Sequence, residues 1–573
     1  MARVIGWSAV VLVFAVVGVF IVQLRSALGS LDEAGDEAGR LRTQVIDGDI
    51  AGARTTLDAM RDATGRAAST SDGVLWRAAA KLPLMGDDID AVRSVSDVLD
   101  RVSTEALPPI VDVSDRLNAN AFSPHDGKID LDVVKEIAPA VSSAKAALTS
   151  ARTELDAIGT DGLVGELGGS VTTLKDSIDS AVSAADAGDV AARLLPSMLG
   201  DEGTRRYLLI VQNNAEVRAT GGIPGSFALI TASRGKLTMG LQGGIKDLLP
   251  FGDDVVPLTT DEKTVFTPQL VRDIRNITQT PDFPRSAEIG RAMAAKGLDT
   301  EVDGVISVDP AAMSYILGGT GPVTVPPGVQ LNQTNAVELL LNTIYLRLPD
   351  PVQQDEAFER AARGVFDAVT AGTGSSRAMI SGLVRAADEN RLMVWSSHRE
   401  EQDLIGSTGI SGAFPAGGGG SPHVGVYFGA SSASKLQYYF DFAPDATATR
   451  CLEGGRQEIT VRTTVTSSVP DGLPVAVTGG SEPPGVMDLF AWLYAPTGGR
   501  FTDIRLDDES VPITTAALAG RPETSVPITL EPGETRTLTA TMVTGPDQRA
   551  SGILSTTPGV RTTDNDTNIR TAC

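Results

Sequence analysis

The run Tyr207-Leu208-Leu209-Ile210-Val211 narrows most what this chain can become. Five consecutive apolar residues are short enough for a buried strand. The run feeds straight into Gln212-Asn213-Asn214-Ala215-Glu216-Val217-Arg218, then a glycine-rich turn ending at Pro224-Gly225, then a second apolar run over residues 226–231. Buried strands that deliver polar groups at their ends are how α/β domains build ligand sites, because the loops stand on a rigid sheet. The glycines permit close backbone approach to a ligand, and Arg218 supplies a planar cation suited to phosphate. That places a site without naming a reaction.

At 573 residues the chain exceeds a single core, and about two to four domains are expected. Residues 5–24 are almost uninterruptedly apolar, and about twenty such residues at ~1.5 Å each cross a bilayer core. Arg3 precedes the run and Arg25 comes after it, so the basic residues nearly balance. Orientation then rests on the habit of a short N-terminal span to export the chain beyond it. A cleaved signal peptide is the competing reading, for which Ser26-Ala27-Leu28-Gly29 is a poor cleavage site. The expectation is a cytoplasmic stub and transmembrane helix over 1–24, a single-pass cell-membrane protein with its bulk extracytoplasmic.

The net charge of -24 argues against nucleic acid as a partner and against broad adhesion to an anionic surface. Any anionic ligand must be held by a local group of Arg and Lys. The two cysteines, Cys451 and Cys573, suit one disulfide outside the cytoplasm, tying the C-terminus to the start of the last domain; two unrelated thiols are the alternative.

Residues 25–200 read as a helical stalk or bundle. They carry apolar stripes at Val92, Val95, Val98, Leu99 and Val102 and at Val133, Val134, Ile137, Val141 and Leu148. Breaks fall at Leu82-Pro83, Pro108-Pro109 and Ser123-Pro124-His125-Asp126-Gly127. Residues 201–421 alternate strand-like and helical runs, which argues for a layered α/β domain. Gly417-Gly418-Gly419-Gly420 marks a linker. Over 422–573 only short strands remain, the pattern of a β-sandwich. The fold class expected is therefore multidomain α+β, with a transmembrane helix, a helical segment, an α/β domain and a β-sandwich.

The residues 209–222, Asp282-Phe283-Pro284, Asp303-Gly304-Val305-Ile306-Ser307-Val308-Asp309-Pro310, Gly319-Thr320-Gly321-Pro322-Val323 and Gly429-Ala430-Ser431-Ser432-Ala433-Ser434-Lys435 carry a resemblance. In this order they resemble an uncharacterised bacterial family of anchored envelope proteins, known as a domain of unknown function. More distantly the stretch looks like the LytR–CpsA–Psr family, which binds polyprenyl-pyrophosphate-linked glycans and transfers them to peptidoglycan. That second resemblance places Arg218 near the family's early arginine and Lys246-Asp247 at its Arg-Asp pair. Arg360 and Arg363 fall on its late arginine helix. It implies a catalytic set of Arg218, Lys246 and Asp247, with Mg²⁺ required if the chain is an enzyme. The family's metal-binding Asp after the early arginine is replaced here by Ala219, leaving Glu216 or Asp247 as substitutes.

Candidate phosphate-binding residues are accordingly Asn213, Asn214, Glu216, Arg218, Arg360, Arg363 and Lys435. Arg360 and Arg363 share one helix face, which suits two phosphate oxygens or a surface helix paired with Glu356 and Glu359. Asn213-Asn214 either meets a ligand or bonds the strand end. The loop before Lys435 offers backbone N–H groups to an anion, or is a plain exposed loop. His125, His398 and His423 have no metal-ligand spacing, and neither a nucleophile elbow nor a P-loop is present. Asp564-Asn565-Asp566 begins like a calcium loop but lacks its later ligands, so it reads as a turn.

Two functions are compatible with these features. In the first, the chain binds a polyprenyl-(pyro)phosphate-linked glycan and takes part in its transfer to the cell wall. In the second, it is a non-catalytic envelope assembly, scaffold or sensing protein working with envelope protein partners.

Overall fold

The computed structural model describes residues 23–573 apart from 32, 42, 45–48, 84, 114–123, 125, 126, 161, 249, 326, 327, 416–419 and 562–565. The chain divides into two compact units, Met1–Ser123 with Ile129–Ser197, and Pro124–Lys128 with Met198–Cys573. The segments 201–421 and 422–573 both fall in the second unit.

In the first unit, helices Ile50–Ser71, Gly86–Arg101, Leu131–Asp156 and Gly165–Met198 carry the fold. Their small, widely spaced apolar residues permit close packing. Val95, Val98 and Val102 meet Leu148, Ala151, Leu155 and Ile178 in one cluster, while Trp76 packs with Ala27, Ile89 and Val92 in another. The Asp49 and Asp130 side chains cap two of the helices by accepting from Gly52 and Asp132 backbone N–H groups.

The membrane-spanning helix assigned to 1–24 requires correction. Among the described residues no helix is long and apolar enough to cross a membrane. The run itself lies outside them, except for Gln23 and Leu24. The adjoining segment is amphipathic. Over 23–41 the buried positions Ala27, Ser30, Ala34, Glu37 and Leu41 recur every three or four residues. That is the pattern of a helix buried on one side, with charged residues on the other. The single-pass cell-membrane placement rested on that span and falls with it. Most of the break at 123–127, the glycines 417–419 of the linker and residues 564 and 565 of the acidic turn also lie outside the described residues.

The second unit is built on a five-stranded sheet. Its strands are β1 (Arg205–Arg218), β2 (Gly221–Ser233), β3 (Lys236–Gly244), β4 (Gly304–Val308) and, after the small hairpin β5 (Val323–Val325) and β6 (Val329–Leu331), β7 (Leu392–Ser396). The order is β3-β2-β1-β4-β7; β1 and β4 run parallel and every other pair is antiparallel. Alternation along β1 explains the layers. Leu208 and Ile210 face helix Phe283–Gly297 through Phe283, Ala287 and Met293, whereas Val211 meets Met313, Ile316, Ala361 and Val365 of helices Pro310–Thr320 and Pro351–Thr370. Prolines at the first turns and the Asp309 and Asp350 caps set where these two helices begin.

The rest is a sandwich. One sheet comprises β9 (Phe440–Leu452), β10 (Arg456–Ser467), β12 (Arg500–Leu506), β13 (Glu509–Ser510) and β16 (Thr535–Val543), after β8 (His423–Ala430) of the other; that other sheet adds β11 (Met487–Tyr494), β14 (Ala516–Leu518), β15 (Arg521–Leu530), β17 (Gly552–Thr556) and β18 (Asp566–Ile569). Inward residues Val426, Phe428, Leu489, Ala491 and Ile528 meet Ile459, Val461, Leu538 and Ala540, and Val217 and Tyr345 extend this core toward β1. Cys451 and Cys573 are bonded, with 4.8 Å between Cα atoms across 122 residues of sequence. The described molecule is thus multidomain α+β, with helices and several sheets.

Candidate functional site

The polar residues after Val211 do not lie on a loop. Strand β1 continues through them to Arg218, with register shifts between Val211 and Gln212 and between Asn213 and Val217. Each irregularity re-aims side chains that strict alternation would have sent to opposite faces. The glycines serve this hairpin. A Cβ on Gly222 would stand 2.2 Å from the Asn213 carbonyl carbon and oxygen, and Gly221 has φ of +130°. The Gly222 N–H is already taken by Gln212 Oε1 at 2.8 Å.

The re-aimed strand opens on a cavity of about 460 Å³. Asn213, Glu216, Arg218 and Lys435 of the sequence-derived candidates line it; Asp273, Arg275, Asp355, Gln354, Tyr345 and the 430–433 loop complete the polar wall, with Met313, Leu340 and Phe358 among the apolar lining. Asn213 donates to the Tyr345 hydroxyl at 2.6 Å and accepts from Ala215 N–H at 3.1 Å. Burial raises the Tyr345 phenol well above its ordinary range, so it stays protonated.

Each lining carboxylate is matched by a cation. Glu216 pairs with Lys435, whose ammonium lies 5.1 Å from the Tyr345 ring centre. Asp273 holds Arg275 at 2.5 Å, and that hydrogen bond raises the guanidinium's pKa further. Asp355 holds Lys246 at 2.5 Å, with the same consequence for the ammonium.

Arg218 is different. Among the described residues it has no carboxylate partner. Its Nη1 donates to the Val217 carbonyl at 2.9 Å and the Ala430 carbonyl at 3.3 Å, while Nε is buried with no partner among the described residues. Burial lowers its pKa, with Glu216 and Asp273 acting in the opposite sense from a distance. Nη2 makes no hydrogen bond among the described residues, and such a guanidinium N–H suits an oxyanion.

The other candidates go elsewhere. Asn214 donates to Asp309 at 3.0 Å and to the Pro558 carbonyl at 3.1 Å, away from the cavity. Lys246 reaches the site only through Asp355, and Asp247 sits beside it on the short helical turn Ile245–Leu248 without lining the cavity. Arg363 lies across β3, donating to Gln242 Oε1 at 2.8 Å and to the Met239 and Gly240 carbonyls. Arg360 pairs with Glu356 at 3.2 Å and lines a second, mainly apolar groove of about 550 Å³. Val325, Val329, Leu339, Ile344 and Leu348 are among that groove's apolar lining, and Leu340 and Ala361 belong to both hollows. In the 430–435 loop, three backbone N–H groups are already used, Ser431 by Asp488, Ser434 by Ser432 and Lys435 by Val477.

Asp273, Arg275, Asp355 and Tyr345 were not singled out from the sequence. The Asp273-Ile274-Arg275 spacing was the only visible signal. Among the described residues, no three His, Cys, Asp or Glu side chains converge to hold a metal ion.

Residues 202–345 match the model of a family described as a protein of unknown function, DUF4012. The match covers β1 to Tyr345 and so contains the cavity's Asn213, Glu216, Arg218, Asp273 and Arg275. No curated protein and no solved structure matches the chain.

Proposed function

We propose that the second unit binds an amphiphilic oxyanion of the polyprenyl-(pyro)phosphate-linked glycan type. Its charged group sits at Arg218 and its hydrocarbon chain lies in the adjoining groove. The observation that carries this reading is the buried guanidinium without a carboxylate partner on a cavity wall. A desolvated cation is costly to keep unless something compensates it. The groove supports the hydrocarbon assignment, because it shares two residues with the cavity and is lined mainly by aliphatic side chains. The resemblance to the LytR–CpsA–Psr family supports the same ligand class.

Transfer of the glycan is a further step of this proposal, and one observation favours binding without it. Glu216, Asp273 and Asp355 are each engaged with a cation, so none stands free as a general base. The test is native mass spectrometry of the purified full-length protein, wild type beside Arg218→Ala. A co-purifying phosphate-bearing lipid that disappears in the variant is the expected result. Two bare, folded proteins would remove the reading.

A further inference from the structure

The charges around the cavity are numerous, yet they leave one vacancy. Three lining carboxylates are each neutralised by a cation, two of those cations being lining residues and the third Lys246. Arg218 alone remains without a carboxylate partner among the described residues, bonded only to two backbone carbonyls through Nη1.

We infer that the site selects a singly charged oxyanion, a lipid-borne phosphodiester, over a doubly charged pyrophosphate. The inference rests on the proposed ligand class and deepens it. A phosphodiester carries one negative charge at neutral pH, which matches the one cation of the lining that no carboxylate neutralises. A pyrophosphate brings a second charge into the same partly desolvated space. The other lining cations, Arg275 and Lys435, are already neutralised by Asp273 and Glu216, so the second charge has no net counter-charge in the lining. That excess discriminates against the second charge, as like-charge crowding does at any interface. The apolar groove makes the same demand of both lipids, so charge rather than chain decides between them.

The probes are a twenty-carbon prenyl methyl phosphodiester, the doubly charged P1-prenyl P2-methyl pyrophosphate diester of the same chain, the prenyl alcohol, and dimethyl phosphate without a chain. Titration calorimetry on the full-length protein measures all four. The expected order places the phosphodiester at least about tenfold tighter than the pyrophosphate, with the alcohol weaker than both. Measurable dimethyl phosphate binding would show that the headgroup alone is recognised, again with one charge. Arg218→Gln removes the preference. Asp273→Asn and Glu216→Gln each release one cation, and each shifts the affinity ratio toward pyrophosphate. Because the ratio is read within one protein, a variant that loses overall affinity still reports, and the two variants are independent.

Equal or tighter pyrophosphate binding by the wild type overturns the single-charge inference while leaving the proposed function intact. If Arg218→Gln binds every probe as the wild type does, or if none of the probes binds, the proposed function falls as well.

Discussion

Arg391 and Arg218 of the second unit are held in opposite ways. Arg391 is locked in place, donating to Asp309 at 2.8 Å, to Glu389 at 2.7 Å and to the Gly559 and Arg561 carbonyls. Arg218 has only backbone carbonyls. The same substitution should therefore act in opposite ways. Arg391→Met strips the buried Asp309 of its cation, while Glu389 keeps Arg385, and is expected to cost about 3–5 kcal/mol. Arg218→Met strands no carboxylate and should change stability by less than about 1 kcal/mol while weakening ligand binding. Urea unfolding of both variants checks the contrast. A third buried group sets a pH dependence. Glu523 on β15 is 5 % exposed, and burial pushes its carboxyl up to about 7. The folded chain thus holds a proton that the unfolded chain has released, and stability declines as pH rises from about 4.5 to about 7. Glu523→Gln should leave the melting temperature unchanged at pH 4 and raise it at pH 8, by up to about 3 kcal/mol of stability. A pH-independent difference between variant and wild type would contradict the assignment.

At the scale of elements, the hairpin β1–β2 decides the site. The apolar run 207–211 was legible as a strand, but the structure carries that strand seven residues further, to Arg218. Local sequence does not announce a bulge, because the register shift depends on what the neighbouring strand can tolerate. Here the tolerance comes from Gly222, where the Asn213 backbone occupies the space of a side chain. Gly222→Ala is expected to destabilise the second unit toward the upper end of about 1–3 kcal/mol and to weaken binding by displacing Asn213 and Arg218. A thermal melt with and without the phosphodiester probe measures both effects. A second element behaves similarly. The helical segment from Ala336 to Arg347 is interrupted by a wide π turn, Leu339–Thr343. That turn supplies Leu340 and Leu341 to the cavity, and Leu339 and Leu340 to the groove. Such insertions break the helical period from which sequence reading works.

For the molecule as a whole, long-range ties join distant parts of the second unit. Asn214 and Arg391 both fasten residues 558–561 to the central sheet, and Thr557 donates to the Ala219 carbonyl at 3.2 Å. The bond between Cys451 and Cys573 closes the last strands onto β9. Crosslinking across that separation restricts the unfolded chain, so reduction should lower stability by about 2–5 kcal/mol. Equal urea midpoints with and without dithiothreitol would show that the bond carries no such share.

The amino-acid sequence by itself determined the alternation of strands and helices over 201–421, the short strands beyond it, the helices over 25–200, and the polar segment around Arg218. These depend on periodicity and on residue chemistry, which are local. Only the tertiary structure decided that Asn214 is a tie rather than a ligand, that Arg363 belongs to the edge of β3, and that Asp273, Arg275, Asp355 and Tyr345 surround Arg218. The physical reason is one of range. A side chain's role is set by the charge and space it meets, and those are supplied here by residues up to 344 positions away.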